Sequence, residues 1–361
     1  MKIVFWGWKD AFDYYRIGGA ESYIRRISQG LIVLGHSVTY IMYGADKSKT
    51  IQPEEFQATL HYAKTFREAL RLLEQDAVDI IIDIYTHPRF RLSFSSFRKH
   101  RLAETHQATI LFSPFRFIWK EYLGSFILRS YDSVFVVSQR IENQMKRNNI
   151  CSTVLTPPVS DVFFEASRSR KPSKDGKIRV GYIGRADHGK GFDIAVNVMK
   201  NLPKDSFASR VMTYSWGGRQ EIIESSKDSG IDIEVTDYRQ YKKDIESRVA
   251  GFLSQTDLLL LPYRTIDTTI DMPLSIIEGL CAGCSIVLPK IEELASFFTN
   301  FNGYVVPLSE FRNSPKASIE SLHVCRRQER TAEHLTQVYG TKRVASLLIN
   351  NIKRNKEVLI T

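Results

Sequence analysis

Apolar runs and amphipathic stretches alternate twice along this chain, and a polar, proline-marked segment separates the two series. Few architectures accept that pattern. Buried runs followed by helix-period segments are the signature of parallel sheets with helices on both faces. In the first series Lys2–Phe5 reads as a strand, and Gly7–Gly19 as a long loop. Glu21–Leu34 reads as a helix with Tyr23, Ile27, Leu31 and Leu34 on one face and Gly35 as its stop. Strands at Ser37–Met42, Val78–Asp83, Ala108–Phe112 and Ser133–Val137 follow, with a helix over Phe66–Gln75. The second series runs through strands at Ile178–Ile183, Ser209–Tyr214, Ile231–Val235, Asp257–Leu261 and Ser285–Leu288. Its helices are expected at Phe192–Asn201, Arg219–Ser229, Lys242–Gln255 and Pro273–Ala282. Between the series, Pro157-Pro158-Val159 and the Ser-, Lys- and Arg-rich run Ala166–Gly176 read as a linker. Thr331–Glu357 contains no proline and predicts terminal helices. The expectation is an α/β chain of two doubly wound domains, 1–165 and 177–330, with a linker at 166–176 and C-terminal helices at 331–361.

At 361 residues the chain is comfortable for two domains. Its net charge of +10 favours anionic partners without choosing among them. No uninterrupted apolar stretch approaches the ~20 residues of a membrane helix. Met1-Lys2-Ile3-Val4-Phe5 starts a strand and lacks the pattern of a signal peptide. These features predict a cytoplasmic protein, with room for peripheral contact at the inner membrane face. Four cysteines do not make a disulfide framework, and Cys281-Ala-Gly-Cys284 reads as small residues packing a helix end. No nucleic-acid recognition module is visible, so no nucleic-acid partner is expected.

Chemistry-bearing residues gather in three places. Asp271-Met-Pro-Leu-Ser-Ile-Ile-Glu278-Gly-Leu-Cys-Ala-Gly283 follows a buried strand and opens a helix with Leu274, Ile277 and Cys281 toward the core. A helix N-terminus at the carboxyl end of such a strand is a phosphate site, and Glu278 lies where a carboxylate grips ribose hydroxyls. Gly184-Arg-Ala-Asp-His-Gly-Lys190-Gly191 also joins a strand to a helix, with Arg185 and Lys190 suited to neutralising phosphate. It fits the phosphate-loop pattern formally, but Gly191 stands where Ser or Thr should hold magnesium. Gly18-Gly19-Ala20-Glu21 precedes the first long helix; alone, such a pair is more often a turn. Between Arg89 and Arg101, five basic residues alternate with Phe90, Phe94 and Phe97. That stretch reads either as a membrane-surface helix or as a core helix with a basic outer face, the second being favoured.

In this order and spacing the three motifs resemble the family 4 retaining glycosyltransferases of the GT-B fold, over about Lys2 to Pro307. The resemblance implies two Rossmann-like domains facing across a cleft, an acceptor-side first domain and a second domain holding a nucleotide sugar. It also implies that the terminal helices cross back onto the first domain. Arg185 and Lys190 match the family's cationic pair, which stabilises the leaving diphosphate. Glu278 matches the ribose-binding glutamate, Gly18 and Gly19 the diphosphate-side loop, and Leu274 and Ser275 supply amides for the distal phosphate. Tyr238 or Arg239 would line the base pocket. Two departures stand out. Ile270 occupies the position of a donor-sugar glutamate, leaving Asp271 as the candidate replacement. The family's histidine after the Ala108–Phe112 strand is absent, leaving His87 as an acceptor-side candidate.

The expected function is therefore metal-independent transfer of a hexose, with retention, from a UDP- or GDP-sugar to a glycan, a lipid-linked sugar or another hydroxyl. The nucleotide sugar is a substrate, and no cofactor or metal is expected. A contact with anionic membrane would fit the basic, aromatic first domain. The rival reading is a catalytically silent GT-B protein that binds a nucleotide sugar or a partner enzyme.

Overall fold

Five consecutive buried residues, Ile3 to Gly7, make β1 (Lys2–Trp8) the central strand of the first sheet. A strand buried on both faces must be flanked on both sides, and β1 pairs in parallel with β2 (Ser37–Tyr43) and β5 (Ile80–Ile84). The computed structural model describes the chain except residues 10–11, 14–17, 53–56, 76, 85–104, 115–117, 215–222, 225–229, 237–244, 268, 324–329 and 361. The helix expected at Arg219–Ser229 and the basic stretch Arg89–Arg101 therefore lie wholly or mostly outside the described residues.

The chain divides into two units. The first comprises Met1–Pro158, Ile270–Met272 and Tyr339–Thr361; the second comprises Val159–Thr269 and Pro273–Val338. With β3 (Lys49–Ile51), β4 (Thr59–Ala63), β6 (His106–Leu111), β7 (Ser133–Val136) and β8 (Thr153–Val154), the first sheet has the order β3-β4-β2-β1-β5-β6-β7-β8. All its pairings are parallel except the edge pair β3–β4.

The helix Gly19–Val33 follows β1 and buries Tyr23, Ile24, Ile27 and Leu31 completely, the face its periodicity predicts. Tyr23 keeps its polar end satisfied by donating to the Leu155 carbonyl at 2.8 Å. The terminal helix Thr341–Ile360 lies against this helix, with Val344, Ala345 and Leu348 buried. Gly30 is where the two backbones approach: a Cβ there would stand 2.4 Å from the Thr341 carbonyl oxygen. Further along, Asn355 donates to Ser133 Oγ at the start of β7, at 2.8 Å.

In the second unit β9 (Ile178–Arg185), β10 (Phe207–Tyr214), β11 (Asp232–Thr236), β12 (Leu258–Leu260), β13 (Ser285–Leu288) and β14 (Val305–Pro307) form a wholly parallel sheet. Its order is β11-β10-β9-β12-β13-β14. The strand order reverses between β9 and β12, the place where open α/β sheets bind ligands beyond the carboxyl ends of the strands. One face is filled by Val180, Tyr182, Val211, Phe192 and Met199. The other is covered by the helices Ile245–Ser254 and Leu274–Cys281, with Phe252 and Thr256 against Gly181.

The polar run expected as a linker is entered by a helix, Asp161–Arg168, which buries Phe163 and Phe164. Beyond it Arg170 turns inward and donates to the carbonyls of Thr256 (2.7 Å), Ala282 (3.2 Å) and Leu253 (3.5 Å). Its guanidinium also meets Asp257, whose carboxylate accepts from Arg179 as well. Burial opposes ionisation of Asp257, but the hydrogen bonds and charge of Arg179, with Arg170, bring its pKa down to about 2.

Candidate nucleotide-sugar site

At the carboxyl end of β9 the chain turns through Ala186–Gly191 before the helix Phe192–Lys200 begins. Asp187 organises that turn. Buried to 5% exposure, it accepts the Lys190 backbone N–H at 2.7 Å and faces Arg185 Nε at 3.4 Å. This is a side chain doing locally what a second backbone carbonyl would do. Gly191 ends the turn with φ of +70°, and a Cβ there would stand 1.9 Å from the Pro262 carbonyl oxygen. Only glycine meets both demands.

The facing loop leaves β12 through Leu261, Pro262 and Tyr263, all buried. Tyr263 carries the centre of the arrangement. Lys190 Nζ lies 4.8 Å from its ring centroid, and its hydroxyl is 2.7 Å from Ser275 Oγ. Burial, with the nearby Glu278 carboxylate, pushes the Tyr263 hydroxyl up to about 12 against the opposing Ser275 hydrogen bond and Arg185. It is a neutral hydroxyl at physiological pH.

Ser275 and Glu278 are three apart on the helix Leu274–Cys281 and share a face. Pro273, in extended conformation, caps this helix, and Leu274, Ile277 and Cys281 are buried as the periodicity predicts. The leading amides of such a helix have no carbonyl of their own to meet. Gly283, in the left-handed region at φ of +79°, ends the segment. Tyr214, the last residue of β10, belongs to the same group of side chains. Burial raises its hydroxyl, and Glu278 and Glu234 add to the shift.

Lys190 is the most perturbed cation described. Burial, with the like charge of Arg185, lowers its pKa from 10.5 to about 7. No carboxylate forms an ion pair with its ammonium among the described residues, although ring electrons offset part of the desolvation cost. Two cations, a helix N-terminus and Glu278 thus converge at the switch point of one parallel sheet, with no carboxylate paired to Lys190 among the described residues.

The remaining sequence candidates are placed separately. Gly18 caps the helix Gly19–Val33 in the first unit, and a Cβ there would overlap the Glu21 carboxylate. Ile270 backs Gly19 in the same unit, where a Cβ would meet Ile270 Cγ2 at 3.4 Å. Asp271 is 4% exposed; its N–H donates to the Phe112 carbonyl at 2.8 Å, and its carboxylate accepts from Arg140 and from Ser138. Its two oxygens are thus engaged by the protein itself. Tyr238, Arg239 and His87 fall outside the described residues. The Cys284 thiol is buried and donates to the carbonyls of Thr256 and Leu253, and burial raises its pKa. Among the described residues no three His, Cys, Asp or Glu side chains are gathered to hold a metal ion.

Sequence reasoning missed Asp187, Tyr263 and Arg264. Tyr263 and Arg264 act across a loop pair joined only in three dimensions, with no local motif to mark them; Asp187 lies inside the glycine-rich motif, but its role in holding the turn shows only in the bonds it makes.

Across its length the chain superposes on a glycosyltransferase from Rickettsia africae ESF-5 with a TM-score of 0.69, at 14% identity, covering 98% of each chain. It superposes on Anabaena HepE, solved in complex with UDP, with a TM-score of 0.70, at 12% identity, covering 98% of this chain and 100% of that one. The fold is GT-B. A UDP-forming trehalose-phosphate synthase from Burkholderia xenovorans, in complex with glucose-6-phosphate, shares this GT-B architecture at a TM-score of 0.67 and 10% identity, covering 98% of this chain and all of that one. In sequence, 222 residues are 27% identical to the GPI3 subunit of phosphatidylinositol N-acetylglucosaminyltransferase from Saccharomyces cerevisiae strain YJM789. That match takes in 53% of this chain, which spans about half (48%) of the relative's length. No family model matches the chain.

Proposed function

We propose that this GT-B protein is a metal-independent, retaining glycosyltransferase that moves a hexose from a UDP- or GDP-sugar to a hydroxyl acceptor. The observation that carries the proposal is the Lys190 ammonium, half-buried beside Arg185 and above Tyr263, with no carboxylate paired to it among the described residues. A diphosphate supplies the missing charge.

In this reading Arg185 and Lys190 neutralise the departing diphosphate, and the amides at Leu274 and Ser275 meet its distal phosphate. Glu278 accepts from ribose hydroxyls, Tyr238 or Arg239 lines the base, and Gly18 and Gly19 flank the diphosphate. The sugar C1–phosphate oxygen bond breaks and a C1–acceptor oxygen bond forms on the same face. The acceptor's proton passes to the leaving diphosphate, so the step needs no metal and no bound cofactor. Retention rests on the resemblance of the three motifs. The acceptor is a glycan or a lipid-linked sugar, with His87 on its side. The GPI3 relative's name, which joins phosphatidylinositol to N-acetylglucosamine transfer, supports a lipid-linked acceptor. It also supports action at a membrane surface, for a protein whose helices include none long and apolar enough to cross one, among the described residues. A cytoplasmic location with peripheral contact at the inner face fits that reading.

Thermal-shift screening against UDP, GDP, ADP and their sugars tests the donor. A shift with one nucleotide, followed by transfer whose product keeps the donor's anomeric configuration by NMR, supports the proposal. No shift with any of them refutes it. One observation favours a second reading, a nucleotide-sugar-binding protein without transfer: Ile270, buried against Gly19, stands where the resembling family has a donor-sugar glutamate. Binding without transfer or hydrolysis of any donor would select that reading.

A further inference from the structure

The glycine-rich loop is held from outside by a residue that no motif contains. Arg264 follows Tyr263 on the facing loop, and its guanidinium forms a two-pronged pair with Asp193, Nη1 to Oδ1 and Nη2 to Oδ2, both at 2.6 Å. Nη1 also donates to the His188 carbonyl at 3.0 Å and lies 2.9 Å from His188 Nδ1. The Arg264 and Thr265 backbone N–H groups both donate to the Gly189 carbonyl, at 3.0 and 3.4 Å. One residue therefore grips the positions on both sides of Lys190: His188 and Gly189 before it, and Asp193 in the first turn of the helix after it.

The grip has a geometric consequence. Lys190 sits over Tyr263, the immediate neighbour of Arg264, so the same short segment supplies both the ring and the clamp. Removing the Arg264 side chain loosens the turn against the ring, leaving the two backbone bonds to Gly189 in place and touching neither residue of the Lys190–Tyr263 pair. Arg suits this task because a fork matched to a carboxylate fixes direction as well as distance; a lysine would keep the charge and lose the direction. Asp193 is about half exposed and Arg264 about a third. The pair therefore adds little to global stability.

We infer that Arg264 is a positioning residue of the diphosphate site: by clamping the glycine-rich loop through Asp193, His188 and Gly189, it holds the Lys190 ammonium in its half-buried place over Tyr263. The inference rests on the proposed donor site for its purpose, but the clamp itself is testable without a ligand.

The experiment compares the native protein with Arg264→Ala, Arg264→Lys and Asp193→Asn. Competitive acetylation, read by mass spectrometry across pH 5–11, reports the titration of Lys190 in the unliganded protein. The groups facing that ammonium are Arg185 from the end of β9 and Tyr263 from the loop after β12, with Glu278 beyond it on the next helix; Asp187 in the turn accepts from the Lys190 backbone N–H. The clamp predicts that the Lys190 midpoint moves up toward the ordinary lysine value in all three variants. Arg264→Lys, which keeps the charge and loses the fork, does not restore the midpoint. UDP and GDP binding, measured by calorimetry, should weaken roughly tenfold, which is about 1.4 kcal/mol. An unchanged Lys190 midpoint overturns the inference, as does a shifted midpoint with unchanged nucleotide affinity. If Arg264→Ala loses its fold, Asp193→Asn decides by the same readouts. If the native protein binds neither nucleotide, the proposed donor site fails on its own, and the acetylation midpoints still decide the clamp.

Discussion

The Lys190 ammonium and the Tyr263 ring face each other at 4.8 Å, while the Tyr263 hydroxyl reaches Ser275 Oγ at 2.7 Å. One phenol thus links the cation of the glycine-rich loop to the first turn of the helix Leu274–Cys281. Three separate stretches of sequence meet at a single side chain.

Replacing Lys190 by Met keeps the side chain's bulk and removes its charge. Transfer should fall by about 10²–10³. The unliganded protein should gain stability, because a half-buried ammonium with no carboxylate paired to it among the described residues is removed. The folded pKa lies below the unfolded one, so folding expels a proton between pH 7 and 10.5. The gain in Tm over the native protein should therefore be largest at or below pH 7 and vanish above pH 10.5. Thermal unfolding across that range checks it, and a gap that grows with pH contradicts the placement.

Nucleotide diphosphate binding should take up a proton. Above pH 7 the free protein holds Lys190 largely neutral, and the bound phosphate favours the ammonium. UDP affinity should fall as pH rises from 7 to 9, by up to roughly tenfold per unit, a range where phosphate is already fully ionised. Calorimetry at pH 8 in buffers of different ionisation enthalpy measures the uptake directly.

Gly191→Ala should be poorly tolerated. A left-handed backbone costs an L-residue about 1–2 kcal/mol, and the new methyl would overlap the Pro262 carbonyl. Chemical denaturation should show a loss beyond that range, with nucleotide binding abolished in the fraction that still folds.

Asp257→Ala leaves Arg179 and Arg170 without their shared carboxylate at the amino end of β12. A loss of about 3 kcal/mol is expected. The Asp257 pKa is depressed, so its contribution is complete above its ordinary value of 3.8 and disappears as pH falls through about 2. The difference in stability between variant and native protein should shrink over that interval.

Much of this architecture could be read before any coordinates. Runs such as Ile80–Ile84 and Ser285–Leu288 are buried throughout, and continuous apolar sequence is what betrays a strand covered on both faces. The edge strand β3 was invisible for the opposite reason: Lys49-Thr-Ile51 is largely exposed and polar, and only its pairing with β4 makes it a strand. β14 is three residues long, too short for any period to show. At the candidate site, Arg185, Lys190 and Glu278 were legible because residue type and neighbouring glycines mark them. Arg264 and Asp193 were not, since the two lie 71 residues apart and each alone is an ordinary surface charge.

The strand order β10-β9-β12-β13 has a consequence for the chain as it emerges during synthesis. β9 pairs with β12 through Val180–Leu258 and Gly181–Leu259, and every helix and strand between them must be made first. The glycine-rich loop is thus exposed, with its cation solvated and its ring absent, until Leu258–Tyr263 has left the ribosome and docked. No nascent fragment ending before that point owns the ammonium–phenol pair. Nucleotide capture would therefore come only after the two halves of this sheet have closed and the helix Leu274–Cys281 has followed.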